Sequence, residues 1–259
     1  MSQNLNDNLL QQFAETFFGF GNLRHPLWFI GMEEGGGRDY WEIERRLSVW
    51  NQRPQALVDL VEFHRKAFPD DEKVKGFFTP TVKHLQRTWN GLIRTFLSYQ
   101  GEEAIRTELV KEFQGSKLGR ENINGNGVAL LELFPLPSPG LKDWKYKEWS
   151  SLPFLKTRDI YREKIAAIRV DGVKKLIQAH SPQVVVFYGF SYKGYWERIA
   201  GPLDEKMEGI DAYSSFSRKT HFVLMKHPVA RKVNNSYFET LGKYLRKLDL
   251  PKKSIVPPL

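Results

Sequence analysis

The sequence predicts an α/β fold of three layers, α/β/α, with a central four-stranded parallel sheet. Two observations carry that prediction. Four short runs rich in β-branched and aromatic residues stand apart along the chain: LWFIG (27–31), VALLELF (128–134), VVVFYG (184–189) and HFVLMKHP (221–228). Unbroken apolar runs of this kind suit strands covered on both faces. Helical stretches separate them, and strands that alternate with helices pair in parallel.

Taken in order, the chain opens with a helix, because Leu9, Leu10, Phe13 and Phe17 fall on one helical face. The first strand follows. Helical stretches at 40–49, 55–67, 83–98 and 102–113 fill the long interval before the second strand, so a single domain of residues 1–259 carries a helical insertion at about 38–120. The polar, glycine-rich GSKLGRENINGNG (115–127) reads as a loop, and FPLPSPG (134–140) as another. A long helix at 159–180 precedes the third strand, and a basic helix follows the fourth.

Composition narrows the function. The 259 residues are 41% hydrophobic and 14% aromatic, as in a globular chain with a sizeable core. Cysteine is absent, which excludes disulfides and thiolate metal sites. No apolar run reaches the roughly 18 residues of a membrane span, and the first residues have no basic region. A cytoplasmic protein, with no membrane contact, is expected. The net charge is +9, and residues 214–259 supply +8 of it. A solvated basic helix accounts for that stretch, or a polyanion binds it.

In an open parallel sheet the ligand crevice lies beyond the carboxyl ends of the strands. The first strand delivers Glu33 and Glu34 there, the second ends around Glu132 and FPLPSP, the third ends in Tyr188 and Gly189, and the fourth delivers His227 and Pro228. Each has a structural explanation by itself: a solvated turn acid, an acid paired with lysine, a histidine before proline. Their convergence on one edge points to a functional site. Gly35, Gly36 and Gly37 follow the two acids, and they leave two readings open. Their amides could cradle a phosphate, or their missing side chains could leave volume for a guest.

The order FIGMEEGG, LLELFPLPSP, VVVFYG and VLMKHPVARK resembles the uracil-DNA glycosylase superfamily, whose members share a first strand ending in a Gly-x-x-Pro-Gly-like loop and a later strand ending in His-Pro. The likeness covers residues 27–37 and 128–240. It implies a uracil-DNA-glycosylase-like sheet and base excision from DNA, without a cofactor or metal, by a monomer acting on double- or single-stranded substrate. By position, Gly31 to Gly35 forms the first-motif loop, with Glu33 as the residue that positions or activates water and Glu34 beside it as the second catalytic candidate. His227 matches the histidine that stabilises the departing base, and PVARKVNN the loop that enters the duplex. Gly31, Met32, Gly35, Gly36, Glu132 and Phe134 would surround the base. Three positions depart from the pattern: Glu34 replaces the usual proline, Val229 replaces the small polar residue after His-Pro, and no tyrosine screens the pyrimidine 5-position. The expected substrate therefore extends from uracil to bulky modified pyrimidines, such as glycosylated hydroxymethylcytosine of phage DNA. Anti-phage defence and base-excision repair are both open roles.

The chemistry also follows from the residue types. Breaking the bond between base and deoxyribose builds positive charge on the sugar and negative charge on the base. A carboxylate facing the sugar stabilises the one, and an imidazole donating to the base stabilises the other. Flipping the nucleotide out needs a stacking surface, for which Tyr40 is the first candidate and Trp41 the second. Lys117, Arg120, Lys226, Arg231, Lys232 and Asn234 are candidates for contact with the DNA backbone. No lysine occupies a catalytic position, so a monofunctional enzyme is expected. Two alternatives are a metal-dependent nuclease using Glu33, Glu34, Glu132 and His227 as ligands, and a non-catalytic nucleic-acid binder.

Overall fold

A computed structural model describes residues 4–79, 81–122, 127–140 and 142–248. Residues 123–126 of the predicted 115–127 loop, and Lys252 and Lys253 of the basic tail, lie outside the described residues. The first half of the chain forms α1 (Asp7–Thr16), β1 (Gly19–Phe20), β2 (Leu27–Glu33), α2 (Tyr40–Asn51), β3 (Leu57–Val58), α3 (Leu60–Ala67), α4 (Glu72–Phe77), α5 (Arg87–Gln100) and α6 (Thr107–Ser116). The second half forms β4 (Ala129–Phe134), α7 (Tyr146–Trp149), α8 (Arg158–His180), β5 (Val184–Tyr188), α9 (Lys193–Ala200), β6 (Glu205–Lys206), β7 (Ala212–Ser217), β8 (Thr220–Met225) and α10 (Asn235–Lys247).

The fold is α/β, but the expected four-stranded parallel sheet is corrected to a mixed sheet of eight strands in the order β3-β1-β4-β2-β5-β8-β7-β6. Its centre is the predicted quartet. β4, β2, β5 and β8 run parallel, with Phe29 opposite Leu130 and Val186 opposite Val223. These strands are buried on both faces, Val184 to Phe187 completely, which is why they read as continuous apolar runs. The flanking strands gave no such signal. β1, β3 and β6 are two residues each, and β7 is a serine-rich, half-exposed strand antiparallel to β8.

Local chemistry sets the helix starts. Asn6, Asp39, Asp59, Thr157 and Asn234 each accept a first-turn N–H at the start of α1, α2, α3, α8 and α10. Among the described residues no helix is long and apolar enough to cross a membrane. The topology then locates the crevice. From β2 the chain goes to β4 on one side and later to β5 on the other, so the order reverses beside β2. An opening forms at such a reversal, beyond the carboxyl ends of β2 and β5.

Candidate functional site

A cavity of about 640 Å³ occupies that position. The strand ends line it with Glu34, Glu132, Tyr188 and His227, while α2, α3, α4 and the start of α5 contribute Trp41, His64, Lys73 and Trp89. The predicted convergence of strand-end residues therefore holds in space, but the residues do not play equal parts.

Glu33 is a structural acid. Arg158 donates to both of its oxygens, and Arg162 Nε donates to Oε1 at 2.9 Å. Only 5% of the side chain is exposed. Glu33 also lines the cavity, but its charge is met by the first turns of α8, an arrangement that favours a structural role over the expected activation of water.

Glu34 reaches the cavity. Arg46 Nη1 donates to Oε2 at 2.9 Å and Nη2 to Oε1 at 3.3 Å. Burial alone would push this carboxyl up, but Arg46 above all, helped by His64, outweighs it and holds the pKa down at about 2. His64 Nδ1 lies 2.8 Å from the Leu60 carbonyl oxygen and Nε2 lies 3.2 Å from Glu34 Oε1. Both partners accept, so both contacts are hydrogen bonds only when the ring carries both protons. Glu34 is thus a fixed carboxylate with acceptor capacity left on Oε2.

Glu132 behaves oppositely. Burial, with the Glu34 and Glu33 charges behind it, raises its pKa to about 8 against the Tyr188 hydrogen bond. Tyr188 Oη donates to Oε1 at 3.1 Å, while the buried Oε2 has no partner. A charged oxygen left so would be costly, in keeping with a neutral carboxyl at pH 7. Gly31 makes room for this pair: a Cβ there would stand 2.1 Å from Tyr188 Oη and 2.6 Å from Glu132 Oε2.

His227 leaves β8 and stacks edge-on with Tyr188 at 5.5 Å between ring centres. The Val229 N–H donates to its Nδ1 at 3.3 Å. Nδ1 is then the acceptor, so the neutral ring carries its proton on Nε2. Burial lowers the pKa of His227 and favours that neutral form. Among the described residues Nε2 makes no hydrogen bond.

The glycine run resolves into separate roles. Gly36 and Gly37 have φ of +130° and +70°, and the amides of Gly37 and Arg38 donate to Glu42 at 2.8 and 3.0 Å. The chain's own carboxylate fills the nest, which corrects the phosphate reading. A Cβ on Gly36 would also stand 2.4 Å from Glu42 Oε1. Gly35 alone meets nothing within 4 Å, so spare volume lies there.

The remaining candidates lie in different places. Tyr40 donates its hydroxyl to the Asn4 carbonyl at 3.2 Å and packs on Trp149 outside the cavity lining, whereas Trp41 is 56% exposed and lines it. Met32 and Phe134 are core residues, Phe134 packing on Tyr161 and Tyr195. Lys117 and Arg120 precede β4 at its amino end, the sheet edge opposite the cavity, and Arg120 is paired with Asp59 at 3.1 Å. Asn234 spends its side chain capping α10. Lys226 lies beside the cavity but pairs with Asp211 at 2.6 Å. Arg231 and Lys232 are exposed.

Sequence reasoning missed Arg46 and His64, although a signal existed. Arg46 shares the buried face of α2 with Ile43, Leu47 and Trp50, and His64 shares that of α3 with Leu60 and Val61. A polar residue at an apolar helix position needs a buried partner. Among the described residues no group of three or more His, Asp or Glu side chains could hold a metal ion. Glu33 and Glu34 are instead engaged by arginines, so the ligand set of the nuclease alternative does not form. Comparison with protein-family models, curated proteins and solved structures found no match.

Proposed function

We propose that the protein is a monofunctional DNA glycosylase of the uracil-DNA glycosylase type, which hydrolyses the N-glycosidic bond of an extruded modified pyrimidine and leaves an abasic site. The observation that carries this reading is His227, a cavity-lining imidazole whose Nδ1 accepts from the Val229 N–H and whose Nε2 has no partner among the described residues. A donor of that kind suits a leaving base. As the N–C1′ bond breaks, its electron pair departs with the base, and a donor to a base oxygen stabilises the developing anion. Water then adds to C1′, and the proton it releases balances the charge on the base. Glu34, ionised and held rigid by Arg46, orients the water and faces the sugar cation in the place first expected of Glu33.

The parallel quartet and its strand-end residues support the superfamily resemblance. Cavity size supports the bulkier substrate. About 640 Å³ falls within the range that accommodates drug-sized ligands and leaves room beyond a bare pyrimidine, with Gly35 open on one side. The test is release of base from oligonucleotides carrying uracil, deaminated purines or hypermodified pyrimidines, read as alkali-labile abasic sites. A nucleic-acid binder without chemistry would bind these oligonucleotides and release nothing.

A further inference from the structure

The charge arrangement at the cavity mouth points to a nucleic-acid contact surface that the strand-end motifs do not contain. Every acid lining the cavity accepts at least one hydrogen bond from the protein itself. Asp39 and Asp71 cap α2 and α4, Glu42 accepts the amides of Gly37 and Arg38, and Glu33 and Glu34 are held by arginines. Glu132 accepts from the Tyr188 hydroxyl. Arg38, Arg45 and Lys73 line the same cavity, are exposed, and make no side-chain hydrogen bond or ion pair among the described residues. The mouth therefore presents three exposed cations without an ion-pair partner among the described residues, interspersed with carboxylates that accept from backbone amides or arginines.

Trp41 stands among these cations. It lies one helical turn before Arg45 on α2, so the two share a helix face, and Arg38, just before the helix, lines the same cavity. Its indole is 56% exposed, and an aromatic of that size left open beside unpaired cations is a platform for a flat ring whose neighbouring groups are anionic. Nucleotides have that chemistry. Stacking on Trp41 requires a free base face, which an unpaired strand offers and a closed duplex does not.

We infer that Trp41, Arg38, Arg45 and Lys73 grip the unpaired DNA strand flanking the extruded nucleotide, with the indole stacking on a neighbouring base and the three cations contacting phosphates. The inference rests on the cavity being the base-receiving site, and its test is read by binding alone. Anisotropy of a fluorescein-labelled single strand of about 15 nucleotides, and of the same sequence as duplex, is followed against salt for the wild type and the variants Trp41→Ala, Trp41→Phe and Arg38→Gln/Arg45→Gln/Lys73→Gln. Trp41→Ala is expected to weaken single-strand binding about tenfold or more, and Trp41→Phe to restore most of it. Losing three phosphate contacts flattens the log–log salt slope by about 2.

Binding by Trp41→Ala at wild-type strength, an unchanged slope in the triple variant, or a larger loss on duplex than on single strand overturns the proposal. Failure of base release on every DNA, with binding lost as stated, would remove the glycosylase reading and leave the surface standing. Base release with unaltered binding in the variants would do the reverse.

Discussion

Glu132→Gln should make the protein more stable at neutral pH. The carboxyl has a pKa near 4.5 in the unfolded chain and about 8 in the folded one. Between those values the folded state holds a proton that the unfolded state has released, so stability declines as pH rises. The contribution is fully present below 4.5 and is lost progressively towards 8. At pH 7 the loss amounts to roughly 3 kcal/mol at about 1.4 kcal/mol per pH unit, and to about 2 once solvent screening of the half-buried side chain is allowed for. Glutamine is neutral throughout and still accepts from Tyr188. Urea unfolding of both proteins at pH 4.5, 6 and 7 therefore should give equal stabilities at the acid end and an advantage to the variant of about 2 kcal/mol at pH 7. Using the difference cancels the titrating histidines common to both. A difference that does not change with pH would refute the neutral carboxyl.

Three further outcomes follow from the site. Glu33→Gln should destabilise the fold by about 3 kcal/mol, because it leaves Arg158 and Arg162 without their anion; a large loss of single-turnover base release at unchanged stability would return Glu33 to the chemistry. His227→Ala should slow base release about 10²-fold at an unchanged melting temperature, and a melting temperature that falls by several degrees would make the residue structural. Gly35→Phe should fold normally and exclude bulky bases while sparing uracil, whereas Gly36→Ala should lower the melting temperature, since its Cβ meets Glu42 and its φ is +130°. Equal tolerance at the two glycines would contradict the division of roles.

The parts of the fold that were legible in the sequence are those where burial writes a pattern. The four central strands are covered on both faces, so VVVFY and its counterparts are continuous, and their ends were placed within two residues at most positions. Edge strands of two residues cannot show a period, and β7 lacks an apolar face because solvent reaches it. At the site, strand ends were readable because a parallel sheet sends them all to one edge. What those ends touch was not. Nothing adjacent in sequence reveals that Glu33 is met by arginines 125 and 129 residues away, while Glu34 is met by Arg46 and His64. The choice between the two acids is a tertiary fact. Tyr40 and Trp41 illustrate the same limit, since adjacent helix residues face different ways and the packing of the segment before α1 and of α7 decides which ring is covered.

The deciding measurement is single-turnover base release by the wild type and by His227→Ala, in EDTA, on matched oligonucleotides carrying uracil or a glycosylated hydroxymethylcytosine, with strand scission scored before and after alkali. The wild type should produce alkali-labile sites on the bulky-base strand, with no scission before alkali, and the variant should do so about 10²-fold more slowly. Absence of alkali-labile sites on every strand would contradict glycosylase activity, and efficient release of uracil with the bulky base untouched would contradict the enlarged cavity as its specificity determinant.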